Sequence, residues 1–363
     1  MKNITIVGAG KIGTSIAKML LSSKFSITIA DTNQTALDQF EIKNIDKLFI
    51  EDDNKLLSHL EKEDYLINAG PYHISFDMAE LAYDSNTNYF DLTEDVQQTE
   101  EIQNLAETEL DLSDKNIVLM PQCGLAPGFI SIIANHLAKG FDSVNDIKMR
   151  VGALPMYPNN HLKYNMTWST EGLVNEYLHT GHAIKDGRLA SVDPLEGYEI
   201  FSINGDRYEA FNTSGGLGSM TYTWYGKVEN MDYKSIRYVG HRDLMKFLID
   251  DLKLGNKNGK KLKKILDKSI PSTDQDVVLI FVTVNGIKNG KLTQETWAKK
   301  IYGIEYNGYK FNAIQATTAA GICGIINLHA SGNFPTNKGL IRQEDIDFDK
   351  FMAIGCVKAV YDQ

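Results

Sequence analysis

The sequence predicts an α/β protein in which a doubly wound parallel sheet is interrupted by an inserted α+β domain. An apolar, β-branched run at residues 4–7 opens the chain and leads at once into a glycine-rich turn. Strand-like and helix-like segments then alternate over the first third of the sequence, which is the pattern of a parallel sheet with helices on both faces. From about residue 142 the pattern changes to separate β-like runs with few helices between them.

The glycine-rich turn has the spacing G-x-G-x-x-G at Gly8, Gly10 and Gly13. These glycines permit, in order, a tight turn, a close approach of a pyrophosphate, and close packing of the next helix, whose N-terminus faces the phosphates. Asp31 lies 18 positions after Gly13, at the end of the second strand, where a carboxylate accepts hydrogen bonds from ribose hydroxyls. Because this carboxylate would repel a 2′-phosphate and no arginine follows within the next turn, the residues predict a Rossmann domain that binds NAD rather than NADP.

The other segments of the first domain follow in the order expected for this fold. Strands are predicted at residues 27–30, 47–50, 65–68, 88–92 and 117–120, and helices at 56–60, 76–83 and 95–110. Because ligands bind beyond the carboxyl ends of parallel strands, the candidate site loops are residues 70–73, 91–94 and 122–124.

The second domain is predicted to be mostly antiparallel, with long connections rich in Gly, Asn and Asp. Its β-like runs lie at residues 147–151, 199–203, 222–228, 235–239 and 277–284, and its helices at 243–251 and 261–266. A buried helix at 314–330 and a last helix at 343–353 return to the first domain. The predicted boundaries are therefore 1–125 for the Rossmann domain, 126–312 for the inserted domain and 313–363 for the return.

The composition argues against several classes of protein. The 363 residues carry a net charge of −10, which disfavours a nucleic acid or an anionic membrane as partner. The three cysteines show no C-x-x-C spacing and no H-E-x-x-H pattern occurs, so neither a disulfide framework nor a metal site is expected. The longest apolar run, residues 277–284, is too short to cross a bilayer, and no signal peptide precedes the first strand, so a cytoplasmic location is expected.

A series of further motifs follows the glycine-rich turn along the chain. They are NAGPY at 68–72, YFDLTE at 89–94, QCGLAPG at 122–128, TWSTEGL at 167–173, IRYVGH at 236–241, TTAAG at 317–321 and KGLIRQEDI at 338–346. In this order and spacing they resemble the saccharopine dehydrogenase superfamily, most closely its lysine 6-dehydrogenase members. The resemblance implies an inserted sheet domain that helps to build the substrate site and often the dimer. It also implies hydride exchange between a nicotinamide and a C–N bond of an amino acid or polyamine.

Two segments depart from the members that form saccharopine. Asp31 and Thr32 stand where those members typically carry Ser-Arg, which holds the phosphate of NADP. Thr170 and Glu171 replace the Pro-Arg of a segment that typically reads Trp-Ser-Pro-Arg-Gly. The loss of that arginine removes a partner for a substrate carboxylate and disfavours saccharopine, whereas Glu171 would suit a substrate ammonium.

Oxidation of an amine requires an unprotonated nitrogen, so a general base with a pKa near the working pH is useful. His241 is the first catalytic candidate by residue type, with a structural histidine at a sheet edge as the alternative. Asp91 and Cys123 are further catalytic candidates, with a helix cap and a small buried residue as their respective alternatives. The predicted cofactor-binding residues are Gly8, Gly10, Lys11, Ile12, Gly13, Asp31, Asn68, Ala69 and Gly70, and the predicted substrate-binding residues are Tyr72, Glu94, Trp168, Glu171, Arg237 and Thr318.

Together these observations favour an NAD-dependent oxidoreductase acting on a C–N bond of an amino acid, with oxidative deamination of the lysine side chain as the leading reaction. A saccharopine or carboxy(nor)spermidine dehydrogenase type of enzyme and a non-catalytic NAD-binding regulatory protein are the alternatives. The expected partners are a small amino acid or polyamine as substrate and a second copy of the chain in a homodimer.

Overall fold

The chain folds into two compact units in the computed structural model, which describes residues 1–257 and 259–363. The first unit comprises Met1–Ile132, Glu305–Phe311 and Gln315–Asp362, and the second comprises Ile133–Ile304, Asn312–Ile314 and Gln363. Apart from Gln363, the second unit is therefore inserted within the sequence of the first. Its limits differ from the predicted boundaries at residues 125 and 312.

Strands and helices alternate in the first part of the chain. They are β1 (Lys2–Val7), α1 (Lys11–Leu20), β2 (Phe25–Asp31), α2 (Gln34–Asp38), β3 (Asp46–Phe49), α3 (Asp53–Leu60), β4 (Tyr65–Asn68), α4 (Ser75–Ser85), β5 (Asn88–Asp91), α5 (Val96–Leu105), β6 (Val118–Met120) and α6 (Phe129–Lys139). A 3₁₀ turn at Tyr72–Ile74 precedes α4, and a π-helical turn at Ala106–Leu110 extends α5.

The middle part of the chain contains longer strands, and the last part contains short strands and three helices. The middle part holds β7 (Ser143–Pro155), α7 (Thr170–Leu178), β8 (Gly181–Lys185), β9 (Arg188–Val192), β10 (Glu199–Ile203), β11 (Asp206–Asn212), α8 (Met220–Trp224), β12 (Val228–Tyr238), α9 (His241–Lys246), α10 (Lys260–Ser269), β13 (Asp276–Lys288) and β14 (Lys291–Tyr302). The last part holds β15 (Ile304–Tyr306), β16 (Tyr309–Phe311), α11 (Ala313–Ala330), β17 (Gly339–Leu340), α12 (Phe348–Met352) and α13 (Gly355–Tyr361).

The sheet of the first unit contains seven parallel strands in the order β17-β6-β5-β4-β1-β2-β3. Because β1 lies between β2 and β4, the strand order reverses at its carboxyl end, which is where sheets of this kind bind nucleotides. The predicted Rossmann fold is confirmed.

Burial of apolar side chains on both of its faces stabilises this sheet. Ile4 and Ile6 of β1 are fully buried, as is Ile16 of α1, and each contributes roughly 1.5–3 kcal/mol. α11 packs closely against the loop after β6, since a Cβ added to Gly321 would lie 2.4 Å from the carbonyl oxygen of Gly124. Among the described residues, none of the helices is both long and apolar enough to cross a bilayer.

The sheet of the second unit is mixed rather than wholly antiparallel. Its strand order is β10-β11-β12-β7-β13-β14, and the β8–β9 hairpin joins it through β12. β7 and β12 run parallel, whereas the other described neighbours in this sheet run antiparallel. An apolar core covers one part of this unit and contains Leu162, Tyr164, Leu173, Tyr177, Phe211, Met245, Leu262 and Leu266.

Four hairpins turn on two-residue loops in which both residues have positive φ. The pairs are Asp186-Gly187, Asn204-Gly205, Asn289-Gly290 and Asn307-Gly308. Such type I′ loops match the twist of the two strands that they join. Parts of the segments predicted as connections therefore form further strands that are joined by tight turns.

Two further predictions are corrected by the structure. The β-like run at residues 222–228 is instead the end of α8 and a turn, and the next strand begins at Val228. The helix predicted at residues 343–353 is a 3₁₀ turn, Gln343–Asp345, followed by α12. The elements that the sequence did not predict are α2, α6, α7, α13, β8, β9, β11, β14, β15, β16 and β17.

A group of charges lies on the sheet of the second unit. Arg150 of β7 is 2% exposed and donates hydrogen bonds to the two carboxylate oxygens of Asp232 over 2.9 and 3.1 Å. Glu199 of β10 accepts hydrogen bonds from Arg150 and from Lys234. The two cations and the two carboxylates compensate one another, which allows Arg150 to stay charged in a buried position.

Candidate functional site

The glycine-rich turn of the first unit has different requirements at its three glycines. Gly8 has φ of +107°, and a Cβ at Gly13 would lie 1.8 Å from the carbonyl oxygen of Gly8. Gly10 is different, because no atom lies within 4 Å of the position of an added Cβ. Gly8 and Gly13 therefore shape the turn, whereas Gly10 leaves its backbone open to a ligand.

Helix α1 begins directly after this open backbone. Gly10 is its N-cap, no side chain caps the helix, and its first turn contains no acidic residue. The N–H groups of the first turn, at Lys11, Ile12 and Gly13, and the positive end of the helix dipole therefore suit a phosphate group.

The carboxylate of Asp31 lies at the end of β2, beside the same turn. One of its oxygens accepts a hydrogen bond from the backbone N–H of Ala9 over 2.7 Å, and the other accepts one from Asn33 over 2.7 Å. Each carboxylate oxygen can accept a further hydrogen bond, so these contacts orient the group without exhausting its capacity. This position matches the one expected for a ribose-binding carboxylate.

Three neighbouring strands end in register at the carboxyl edge of the sheet. Val7 of β1 pairs with Asn68 of β4, and Asn68 pairs with Asp91 of β5. Asn68 accepts a hydrogen bond from the N–H of Gly70 over 3.0 Å, and a Cβ at Gly8 would lie 2.8 Å from the carbonyl oxygen of Ala69. The structure thus brings the loop of residues 68–70 against the glycine-rich turn.

Asp91 is fully buried at this edge and accepts several hydrogen bonds. Its Oδ1 accepts from the N–H groups of Thr93 (3.0 Å) and Gln122 (2.8 Å). The hydroxyl of Tyr89 lies 2.8 Å from Oδ2 and 2.8 Å from the carbonyl oxygen of Ser75, yet it has one proton to donate. Burial raises the pKa of Asp91 to about 6.

Glu94 follows on the loop after β5 and is half-buried. Burial raises the pKa of Glu94 to about 7, and the neighbouring carboxylates of Asp95 and Asp91 act in the same direction. A carboxyl group that titrates near neutrality can both accept and release a proton at physiological pH. Asp91 and Glu94 are therefore two carboxyl groups at this edge of the sheet whose pKa values lie near neutrality.

The thiol of Cys123 is fully buried on the next loop. It donates a hydrogen bond to the carbonyl oxygen of Met120 over 3.1 Å, and Gln343 donates to the carbonyl oxygen of Pro121 over 2.8 Å. Burial raises the pKa of Cys123 well above that of an ordinary thiol. Because a reactive cysteine needs its thiolate form, this environment does not support a catalytic role for Cys123.

Two predicted substrate-binding residues of the first unit lie near these loops. Tyr72 is half-buried in the 3₁₀ turn after Pro71, with its ring edge-on to that of His73. Thr318 lies on α11, and its methyl group would lie 3.8 Å from a Cβ added to Gly124. Both therefore belong to the carboxyl edge of the parallel sheet.

His241 lies in the second unit, where it is fully buried at the start of α9. Its Nδ1 lies 2.9 Å from the carbonyl oxygen of Leu162, and its Nε2 lies 3.0 Å from the hydroxyl of Tyr177. Burial lowers the pKa of His241 to about 3, with the charge of Arg237 acting in the same direction. Both ring nitrogens are thus in hydrogen bonds, which does not support the prediction of His241 as the general base.

Arg237 is 3% exposed and lies between the rings of Tyr164 and Tyr177, at 5.3 and 5.6 Å. Its Nε donates to the hydroxyl of Tyr177 over 2.7 Å, Nη1 donates to the carbonyl oxygen of Ile236, and Nη2 lies 4.0 Å from Glu176. The guanidinium is therefore largely occupied within the unit, which leaves it little capacity to bind a substrate carboxylate.

Trp168 and Glu171 flank the start of α7. The indole N–H of Trp168 donates a hydrogen bond to the hydroxyl of Tyr164 over 3.1 Å. The indole ring also packs on Gly172, because a Cβ added to Gly172 would lie 2.4 Å from the ring. Glu171 is exposed in the first turn of the helix, and Ser169 caps that turn by accepting from the N–H of Gly172. Trp168 is thus anchored in the core, whereas the carboxylate of Glu171 is accessible.

The sequence analysis assigned no individual role to three residues that complete these arrangements: Tyr89, Gln122 and Tyr177. The contact of Tyr89 with Asp91 could have been predicted, because residues two apart on a strand share a face of the sheet. The contacts of Tyr177 could not have been predicted, because its partners lie 60 and 64 residues away in the sequence. Within the described residues, no group of three or more His, Cys, Asp or Glu side chains is placed to hold a metal ion.

The fold and the glycine-rich turn define the first unit as a Rossmann-type nucleotide-binding domain. Comparison of the sequence with protein families extends this result to the whole chain. The saccharopine dehydrogenase NADP binding domain matches residues 4–118, and the saccharopine dehydrogenase C-terminal domain matches residues 124–354. The chain belongs to the saccharopine dehydrogenase family.

Individual relatives are distant. The mitochondrial alpha-aminoadipic semialdehyde synthase of Rattus norvegicus is 22% identical over 202 residues, which cover 53% of this chain and 21% of that protein. The chain therefore spans well under two thirds of the length of this curated relative.

Two solved structures share the fold along nearly the whole chain. Apo saccharopine dehydrogenase (L-Glu forming) from Saccharomyces cerevisiae has a TM-score of 0.75 and 16% identity, and the match covers 99% of this chain and 98% of that one. Homospermidine synthase from Legionella pneumophila in complex with NAD has a TM-score of 0.69 and 14% identity. This match covers 99% of the present chain and 90% of the synthase chain. At these identities the similarity shows the fold alone.

Proposed function

We propose that this chain is an NAD-dependent dehydrogenase that oxidises a C–N bond of an amino acid, with the side-chain amine of lysine as its substrate. The observation that carries the proposal lies within the first unit. A phosphate-binding turn and two carboxyl groups of raised pKa, Asp91 and Glu94, occupy the same edge of one parallel sheet. Membership of the saccharopine dehydrogenase family supports the reaction class.

NAD would accept the hydride from the carbon that carries the amine. The open backbone at Gly10 and the first turn of α1 would hold the pyrophosphate, and Asp31 would hold the adenosine ribose. The loop of residues 68–70 completes this cradle at the neighbouring strand. Asp31 supports NAD over NADP because its negative charge would face a 2′-phosphate.

The proton released by the substrate ammonium would pass to Glu94, which replaces His241 in this role. Glu94 is half-buried, and its pKa of about 7 places it at the pH where a general base works best. Asp91 has no exposed surface, so we assign it the positioning of the loop through Thr93 and Gln122.

The choice of substrate rests on Glu171, which stands where saccharopine-forming relatives typically carry arginine. Its carboxylate is exposed, so it can meet an ammonium group. Tyr72, Trp168 and Thr318 remain proposed substrate contacts.

A substrate screen tests this function. Purified protein is assayed for NAD reduction with lysine, ornithine, saccharopine and a linear diamine at alkaline pH, and lysine should give the highest kcat/KM. Saccharopine as the sole substrate would favour the alternative enzyme type. Binding of NAD without turnover of any of these compounds would identify a regulatory protein and overturn the proposal.

The variant Glu171→Arg sharpens the test of specificity. It should lower kcat/KM for lysine, because a cation would face the substrate ammonium, while NAD binding is unchanged. Glu61→Arg, which makes the same charge change at an exposed position of the first unit, serves as the matched control. Equal effects of the two changes would remove Glu171 from the substrate site. The proposed homodimer is checked by light scattering of the purified protein.

A further inference from the structure

The charge of this protein is distributed unevenly along its sequence. Residues 253–268 contain seven lysines and one aspartate, a net charge of +6, whereas the whole chain carries −10 and the remainder therefore −16. The segment contains neither arginine nor an aromatic residue. Such a local excess of lysine within an acidic protein is typical of a surface that contacts an anionic partner.

Most of these lysines lie on one face of α10. Lys260, Lys264 and Lys268 recur every four residues, which places them in a row about 12 Å long on the helix surface. Lys261 lies beside this row. All four are exposed, and we call them the lysine face. The opposite side of the helix is anchored by the buried residues Leu262 and Leu266.

Ion pairs do not compensate the lysine face within the part of the chain that the structure describes. Among the residues that the structure describes, Lys263 at its border pairs with Asp267 over 2.9 Å, and none of the four lysines of the face forms an ion pair. Like charges four residues apart on a helix repel each other. The face is therefore electrostatically unfavourable for α10 when the protein is free.

The start of α10 adds to this unfavourable arrangement. Lys260 and Lys261 occupy the first turn, where the positive end of the helix dipole disfavours cations. That turn contains no acidic residue, and its N-cap, Gly259, provides no side-chain hydrogen bond. An external anionic surface would relieve both the repulsion among the lysines and their conflict with the dipole.

We propose that the lysine face of α10 binds the surface of an anionic phospholipid bilayer. A cluster of this size is typical of proteins that contact anionic lipid, and lysine serves there as a simple point charge. An exposed apolar residue, Ile265, lies on the same helix and is 42% exposed, and Leu252, just before Lys253 in the sequence, is 50% exposed. These can lie at the boundary between headgroups and acyl chains.

The lysine face is less suited to binding a nucleic acid than to binding a bilayer. Base recognition uses bidentate arginine contacts, and single strands are bound by aromatic stacking, but this segment contains neither residue type. The acidic remainder of the protein does not prevent binding to a bilayer, because repulsion is screened beyond about 8 Å at physiological ionic strength. The net charge of the chain therefore does not exclude an anionic membrane, contrary to the expectation from composition.

Sedimentation of the full-length protein with phospholipid vesicles tests the proposal. The protein should bind vesicles of phosphatidylcholine that contain about a third phosphatidylglycerol, but not pure phosphatidylcholine, and roughly 0.5 M salt should release it. The variant Lys260→Gln/Lys264→Gln/Lys268→Gln should bind at least about tenfold more weakly. Its thermal unfolding should be unchanged or shifted upward, because the substitutions remove like-charge pairs.

The control variant, Lys43→Gln/Lys185→Gln/Lys310→Gln, removes the same charge from exposed lysines elsewhere in the chain and should bind as the wild type does. A second variant, Ile265→Ser, keeps all the lysines and should bind less tightly than the wild type at physiological ionic strength, because it removes an apolar contact with the bilayer. Absence of vesicle binding by the wild type, or an equal loss in both triple variants, would overturn the proposal. So would binding of polyuridylate without binding of vesicles.

Discussion

The hydroxyl of Tyr177 lies 3.0 Å from Nε2 of His241 in the interior of the second unit. The same hydroxyl accepts a hydrogen bond from Arg237, whose Nε can only donate. Its own proton is therefore directed at His241, which must accept it at Nε2 and donate from Nδ1 to the carbonyl oxygen of Leu162. This chain of hydrogen bonds fixes a neutral imidazole and one tautomer.

The substitution His241→Gln should affect stability rather than proton transfer. A glutamine amide cannot keep both contacts at their present lengths, so we expect a loss of about 1–3 kcal/mol in the free energy of unfolding. The dependence of kcat/KM on pH should keep its shape. Urea unfolding and a pH–rate profile measure the two effects, and loss of the acidic limb of the profile would restore His241 as the general base.

The same residue should make the protein sensitive to acid. Burial lowers the pKa of His241 from 6.5 to about 3, so between these values the unfolded chain binds a proton that the folded protein does not. The contribution of His241 to stability is therefore present above pH 6.5 and is lost as the pH falls, by at most about 1.4 kcal/mol per pH unit. His241→Gln should flatten the stability curve in this window, which urea unfolding at several pH values would show.

Alanine substitutions at two glycines separate folding from cofactor binding. Gly13→Ala would place a methyl group 1.8 Å from the carbonyl oxygen of Gly8, so the turn must distort and the melting temperature should fall by several degrees. Gly10→Ala meets no atom within 4 Å and should fold normally, yet it should weaken NAD binding by obstructing the pyrophosphate. Calorimetric unfolding and NAD titration would check both, and unchanged NAD affinity in Gly10→Ala would place the phosphates elsewhere.

The substitution Asp31→Asn should relax the discrimination between NAD and NADP. The amide oxygen can still accept the hydrogen bond from Ala9, whereas the amide nitrogen cannot accept the one from Asn33. The turn should therefore persist with some loss of stability while the negative charge is removed. We expect the ratio of Kd values for NADP and NAD to fall at least tenfold, as measured by titration calorimetry, because the charge repulsion is removed. An unchanged ratio would show that Asp31 does not face the 2′ position.

Much of the first unit was predictable because its signals are local. The β-branched run of β1, the spacing of Gly8, Gly10 and Gly13, and the position of Asp31 all lie within one βαβ unit. β17 was missed because it contains only two residues, too few for a periodic pattern, and it pairs with β6 at long range.

The second unit was less predictable because its strands follow weaker patterns. β14 carries charged and polar residues on its exposed side, so its mean hydropathy is low although it pairs along the whole length of β13. The Asn289-Gly290 turn between the two strands was nonetheless a usable signal, since such pairs favour type I′ hairpins. The burial of His241 could not be predicted, because residue type alone does not distinguish a catalytic histidine from a core histidine.

The substitution Asp91→Asn should be tolerated and should change the pH dependence of stability. An amide at this position can donate to the hydroxyl of Tyr89, which can then donate to Ser75, while its oxygen accepts from Thr93 and Gln122. Because burial raises the pKa of Asp91 from 3.8 to about 6, wild-type stability falls as the pH rises through this window. The stability of Asp91→Asn should not fall in this way. At neutral pH its free energy of unfolding, measured with urea, should therefore equal or exceed that of the wild type. Marked destabilisation would show that the negative charge itself is required.

The substitution Glu94→Gln should remove proton transfer without removing the fold. Burial raises the pKa of Glu94 to about 7, so its carboxylate form accumulates as the pH rises through neutrality. If it is the general base, kcat/KM in the wild type should rise with pH through this value, and Glu94→Gln should lose that limb and about 10²–10⁴-fold in rate. Glu109→Gln, which makes the same charge change at an exposed position in the π-helical turn after α5, controls for the change of local charge. Unfolding curves of Glu94→Gln that match the wild type would assign the loss to chemistry, and a normal pH–rate profile in this variant would exclude Glu94 as the base.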